Sequence, residues 1–131
     1  MIIQGKVTSG LGVAKKWIKK MEKSFYKKTG ELLFAGTLNI RLDSEYNFNP
    51  DMIIDKDEYG GNFDVHIKKC ELLNETAYIV RSAKNINRDG DYKPNIVEIM
   101  AETNFREKYN LKDDDIITIS IWKTQKMLYN R

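Results

Sequence analysis

The stretch Gly36-Thr37-Leu38-Asn39-Ile40-Arg41-Leu42 decides the fold. Its apolar and polar side chains alternate with a period of two, the pattern of a strand with one face in a core and one face outside it. Thr37 and Asn39 lie two apart and so share a face, opposite Leu38, Ile40 and Leu42. Further short strands flank this one on both sides. Residues 2–8 read as a strand running into the turn Ser9-Gly10-Leu11-Gly12. Downstream, 63–68, 76–80, 96–100 and 116–122 read as strands. Gly60-Gly61 is expected as a hairpin turn, and 43–57 and 85–94 as polar loops.

The period changes between Ala14 and Lys28. Trp17, Ile18, Met21 and Phe25 recur at steps of three and four, which predicts an amphipathic helix that Gly30 stops. A short helical turn is expected from Asn104 to Tyr109, capped by Thr103 or Asn104. Leu111-Lys112-Asp113-Asp114-Asp115 reads as a tight turn before the last strand. Six or so short strands with frequent turns and one long helix predict a mainly β domain spanning residues 1–131. A closed barrel fits this pattern, because closure leaves no unpaired edge.

The composition narrows the function. The chain has 131 residues, 41% hydrophobic and 31% charged, with a net charge of +3. A single cysteine, Cys70, excludes an internal disulfide, and a single histidine, His66, leaves few ligands for zinc. A hard cation held by oxygens and phosphates remains open. With no apolar run of membrane-spanning length and no signal-peptide pattern at Met1–Lys6, a reducing, cytoplasmic location is expected. The charge is unevenly spread. Seven lysines lie between Lys15 and Lys28 against one acid, Glu22, whereas residues 43–64 are rich in acids, with Asp43, Glu45, Asp51, Asp55, Asp57, Glu58 and Asp64. The lysine face either draws an anion such as a nucleoside triphosphate to a neighbouring site or is simply solvated.

Three segments carry a resemblance: Gly5-Lys6-Val7-Thr8-Ser9-Gly10-Leu11-Gly12, then Gly36-Thr37-Leu38-Asn39-Ile40-Arg41-Leu42, then Val97-Glu98-Ile99-Met100-Ala101 followed by Asn104-Phe105-Arg106-Glu107-Lys108 and the Leu111–Asp115 turn. In this order they resemble the CTP-dependent riboflavin kinases, over nearly the whole chain. The resemblance implies a six-stranded cradle-loop barrel and transfer of the γ-phosphoryl group of CTP to the 5′-hydroxyl of riboflavin, giving FMN. It implies that Gly10, Leu11, Gly12, Val13, Ala14 and Lys15 form the nucleotide loop and that Thr103, Asn104, Phe105 and Arg106 hold the base and nearby phosphates. Thr37 and Asn39 would be the ligands of Mg2+, and Glu98 would contact the flavin. No general base is visible in the matched segments.

The sequence departs from the family pattern in three places. Val13 and Ala14 stand where the family has Glu-Gly, and the turn reads Leu-Lys-Asp-Asp-Asp where the family has Leu-Lys-Asp-Gly-Asp. The family also has a flavin-binding threonine upstream of its glutamate. Residues 81–85 offer none, with Lys84 or Asn85 nearest by register. Two alternatives follow: an altered homologue that binds a nucleotide or another small alcohol without this chemistry, and a DNA-binding barrel. The small net charge and the acidic middle of the chain argue against the second.

Overall fold

The computed structural model describes residues 1–10, 12, 14–83 and 95–122. Leu11, Val13, Lys84 and the loop expected over Asn85–Pro94 lie outside them. The elements run β1 (Ile2–Thr8), α1 (Ala14–Thr29), β2 (Leu38–Arg41), β3 (Met52–Ile54), α2 (Lys56–Tyr59), β4 (Val65–Leu72), β5 (Glu75–Ser82), β6 (Ile96–Met100), α3 (Phe105–Lys108) and β7 (Ile116–Ile121). The strands pair antiparallel in the order β3-β4-β5-β6-β2-β1-β7, and β7 returns to pair with β4. Six strands therefore close a barrel as expected, and β3 is added outside the ring.

Alternation along the strands sorts side chains into two apolar clusters. Val7, Leu38, Ile40, Ile79, Val97, Ile99 and Ile119 belong to the cluster that fills the barrel. Tyr78, Val80 and Met100, on the opposite faces of β5 and β6, join Ile18, Met21 and Phe25 of α1 in the second. The predicted helix is thus a lid on the outer face of the sheet. Phe25 meets Tyr78 edge-on with ring centroids 4.9 Å apart, and Trp17 meets Phe63 in the same way at 5.8 Å. All seven lysines of the helix are exposed. Gly30 ends it with φ of +74°, donating its N–H to the Tyr26 carbonyl at 2.7 Å.

β1 passes so close to β2 that a Cβ on Gly5 would lie 2.6 Å from the Arg41 carbonyl oxygen, so only glycine fits there. Cys70 faces inward and is fully buried, and burial pushes its thiol up to about 12. His66 is half-buried on β4, as its strand position predicts.

Two expectations change between residues 43 and 61. Met52–Ile54 pairs with β4 where a loop was expected, and Gly60 caps α2 rather than turning a hairpin. The physical reason is the left-handed Gly60, φ +73°, whose N–H returns to the Lys56 carbonyl and closes one helical turn. The tight hairpin lies instead between β4 and β5, where Leu73 and Asn74 take φ of 51° and 60°, the primed-turn geometry that matches strand twist.

Candidate functional site

Strand register fixes the centre of the site. Thr8 on β1 lies opposite Asn39 on β2, Asn39 opposite Glu98 on β6, and Glu98 opposite Val80 on β5. These four residues form a row across the outer face of the barrel, because Val7, Leu38, Ile40, Val97 and Ile99 take the inner one. Thr37, just before β2, donates its hydroxyl to Glu98 Oε2 at 3.2 Å. Thr37 and Asn39, expected as metal ligands, and Glu98, expected as the flavin contact, are brought together.

Asn39 and Glu98 are buried and Thr37 is half-buried. Asn39 is 6% and Glu98 5% exposed, and Asn39 Oδ1 has no hydrogen-bond partner among the described residues. A buried carbonyl oxygen left unpaired costs roughly 1–3 kcal/mol. A hydroxyl, an amide oxygen and a carboxylate are hard oxygen donors, suited to a hard cation that completes its shell elsewhere. No cluster of three or more acidic, histidine or cysteine side chains occurs among the described residues, so such a cation would need oxygens from a ligand and water.

The third segment meets the second in a pocket of about 20 Å³ lined by Phe34, Gly36, Thr37, Leu38, Ile99, Ala101 and Thr103–Arg106. That is room for about one water, too little to enclose a larger ligand. Asn104 caps α3, its Oδ1 accepting from the Glu107 N–H at 3.3 Å, which settles the capping choice in its favour. The Phe105 ring is packed in the barrel cluster and stacks on Tyr109. Arg106 donates Nη2 to Asp113 Oδ1 at 2.6 Å and Nη1 to the Leu111 carbonyl at 3.3 Å.

Thr103 is held by a residue that the sequence did not single out. Glu75 accepts from Thr103 Oγ1 at 2.6 Å, from Lys108 Nζ at 2.8 Å and from the Tyr109 hydroxyl. The Lys108 hydrogen bond, followed by those from Thr103 and Tyr109, pulls the Glu75 carboxyl down from 4.5 to about 2. The folded value lies below the unfolded one, so the stabilisation is complete above pH 4.5 and fades as pH falls toward about 2. Glu75→Gln is therefore expected to flatten the fall in Tm across that acid range. Circular-dichroism melts of both proteins between pH 6 and pH 2 check this, and parallel curves would count against it.

The first segment runs from within β1 into the loop after it. Gly10 is exposed, and Gly12, exposed as well, takes φ of +74° with nothing within 4 Å of where a Cβ would stand. Leu11 and Val13 lie outside the described residues. Ala14 opens α1 with its methyl buried in the helix–barrel cluster, so a helical alanine fits where the family has glycine. Lys15 is exposed on the first turn, which contains no acid. The positive end of the α1 dipole is therefore unopposed by any side chain of its own first turn, an arrangement that favours an anion. Ser9, at the root of the loop, donates to Asp113 Oδ1 and Oδ2 at 3.1 and 3.0 Å. Asp113 thus links the first segment to Arg106 of the third. Its only sequence cue is its place in the Leu111–Asp115 turn.

Comparison with known proteins places the chain in a family. A family model named CTP-dep_RFKase, described as domain of unknown function DUF120, matches residues 7–121. The chain is 29% identical over 147 residues to a riboflavin kinase of Staphylothermus marinus, covering 97% of this chain and 96% of that protein. It is 29% identical over 133 residues to a riboflavin kinase of Methanosphaera stadtmanae, covering 92% and 97%. With a riboflavin kinase of Methanococcus maripaludis it shares 31% identity over 131 residues, covering 92% of this chain and all of that protein.

Proposed function

Because the chain belongs to the CTP-dependent riboflavin kinase family, we propose that it transfers the γ-phosphoryl group of CTP to the 5′-hydroxyl of riboflavin, releasing CDP and FMN. The observation that carries the site assignment is the buried, unpartnered Asn39 Oδ1 beside Thr37 and Glu98. Helix and barrel act as one domain, since both pack on the strands β4, β5 and β6.

Phosphoryl transfer demands positioning and charge neutralisation more than covalent participation by the protein. The N–H groups of the loop at Gly10–Ala14 and the amino group of Lys15 bind phosphate oxygens at the start of α1. Arg106 adds a guanidinium from the opposite side, and Thr103 and Asn104 border the base. Thr37 and Asn39 would hold Mg2+, which would supply positive charge against the nucleotide's phosphate groups. Glu98 accepts from the flavin substrate and fixes the ribityl chain. In the step itself the riboflavin 5′-oxygen forms a bond to the γ-phosphorus while the bond to the β–γ bridging oxygen breaks, its electrons leaving with CDP. The hydroxyl proton is lost late, to phosphate oxygen or water, so a strong base is not required. No helix among the described residues is long and apolar enough to cross a membrane, which is compatible with a cytoplasmic enzyme.

The test is direct. Purified protein with riboflavin and Mg2+ is expected to form FMN with CTP and much less with ATP, measured side by side. No FMN from any nucleoside triphosphate would sink the proposal. CTP raising the Tm of a protein that never turns over would instead identify a binder without this chemistry.

A further inference from the structure

We propose that Asp113 is a positioning residue for the nucleotide: by gripping Ser9 and Arg106 at once, it fixes the end of β1, where the phosphate-binding segment starts, against the phosphate-binding guanidinium of Arg106 on α3. This rests on the kinase assignment above and extends it to a residue with no role there.

Three observations carry it. First, Asp113 joins two parts of the site that are remote in sequence. Its carboxylate takes Ser9 Oγ on both oxygens, and Oδ1 also takes Arg106 Nη2 at 2.6 Å. Second, the turn that presents it is fixed at several points. Asp114 donates its N–H to the Val7 carbonyl at 2.8 Å, Val7 donates to the Asp115 carbonyl at 2.8 Å, and Leu111 donates to the Arg106 carbonyl at 2.9 Å. The left-handed Asp114, φ +74°, turns the chain between them, and the Lys112 N–H closes on Asp115 Oδ2 at 2.7 Å. Asp113 is therefore a fixed post and not a floating surface acid. Third, Arg106 spends two of its five N–H donors on Asp113 and on the Leu111 carbonyl, so its fork is oriented while donors remain for phosphate oxygens. Arg106 and Ser9 hold the Asp113 carboxyl below its ordinary range, so it is charged at neutral pH.

A purely structural ion pair would register in Tm and not in CTP affinity. The Asp113 and Arg106 side chains are 55% and 41% exposed, and pairs of that kind add little to stability. Removing Asp113 should then leave Tm almost unchanged while freeing Arg106 and the loop root to wander. Each long side chain that must be re-ordered on binding weakens affinity by roughly twofold to tenfold.

The experiment measures CTP affinity by calorimetry, and KM and kcat in the FMN assay, for wild type, Asp113→Asn, Asp113→Ala, Asp113→Glu and the double variant Ser9→Ala/Asp113→Asn. Expected are a CTP Kd and KM raised about threefold to tenfold in Asp113→Asn and Asp113→Ala, with riboflavin KM and kcat within about twofold. Asp113→Glu should recover most of the loss, and adding Ser9→Ala to Asp113→Asn should cost little more, because the two residues act as one unit. Wild-type CTP affinity in a folded Asp113→Asn would overturn the positioning role and leave the kinase assignment standing. A wild type that neither binds CTP nor forms FMN would overturn both. Should Asp113→Ala fail to fold, the role is structural and the proposal falls.

Discussion

Asn39→Ala is expected to lower kcat/KM for FMN formation by at least about 100-fold, or about 2.7 kcal/mol of transition-state stabilisation, while leaving the fold intact. The loss follows from removing an oxygen that sits buried, 6% exposed, between Thr37 and Glu98 with nothing described to pair it. The same orphaned oxygen makes the stability forecast unusual. Most truncations of a buried side chain destabilise, but this one also removes an unpaired polar group whose burial costs roughly 1–3 kcal/mol. The two effects oppose, so Tm should stay within about 5 °C of wild type. Assays over a range of Mg2+ concentrations should show that added metal does not restore the variant. Activity within threefold of wild type would remove Asn39 from the site.

Phe25→Ala should be the most destabilising single change on α1, by about 3–5 kcal/mol. Phe25 is completely buried, and its ring stands edge-on to Tyr78 at the centre of the helix–barrel cluster. For a domain of this size that corresponds to a fall in Tm on the order of 10–20 °C. Urea melts would read it as a lower midpoint, with Lys19→Ala on the exposed face as a control expected within about 0.5 kcal/mol. The variant also bears on function, because α1 is the rigid continuation of the glycine loop. A loss below about 1 kcal/mol would mean that the helix is held by something other than its apolar stripe.

The sequence was readable where one local rule acted alone. The two-residue alternation of 36–42 placed Leu38 and Ile40 inside and Thr37 and Asn39 together outside, which is how they stand. The stripe of Ile18, Met21 and Phe25, with Gly30 after it, was enough to give α1 and its end. It was unreadable where a tertiary partner decided the outcome. Met52–Ile54 is too short to show a period and exists as a strand because β4 offers it an edge. Gly60-Gly61 carries the same residues whether it turns a hairpin or caps a helix, and the single turn of α2 tipped the balance. Within the site, the family resemblance pointed to Thr37, Asn39 and Glu98. Asp113 and Glu75 became visible only when the fold brought their partners to them, Ser9 and Arg106 to one and Thr103, Lys108 and Tyr109 to the other.

The pairing of β1 with β7 has a consequence in time. Ile2 lies opposite Ser120 and Gly5 opposite Ile117, so the strand of the ring that is made before the other five must wait for the one made after them before its outer edge is covered. The ring cannot shut progressively during synthesis, and its final seam forms only after nearly every other contact is available. Barrels assembled from such distant partners fold in milliseconds to seconds rather than microseconds. Until then β1 has an open edge, and Gly5, demanded by the close passage of β2, is also a poor β-former that makes this waiting strand less able to recruit a neighbouring chain.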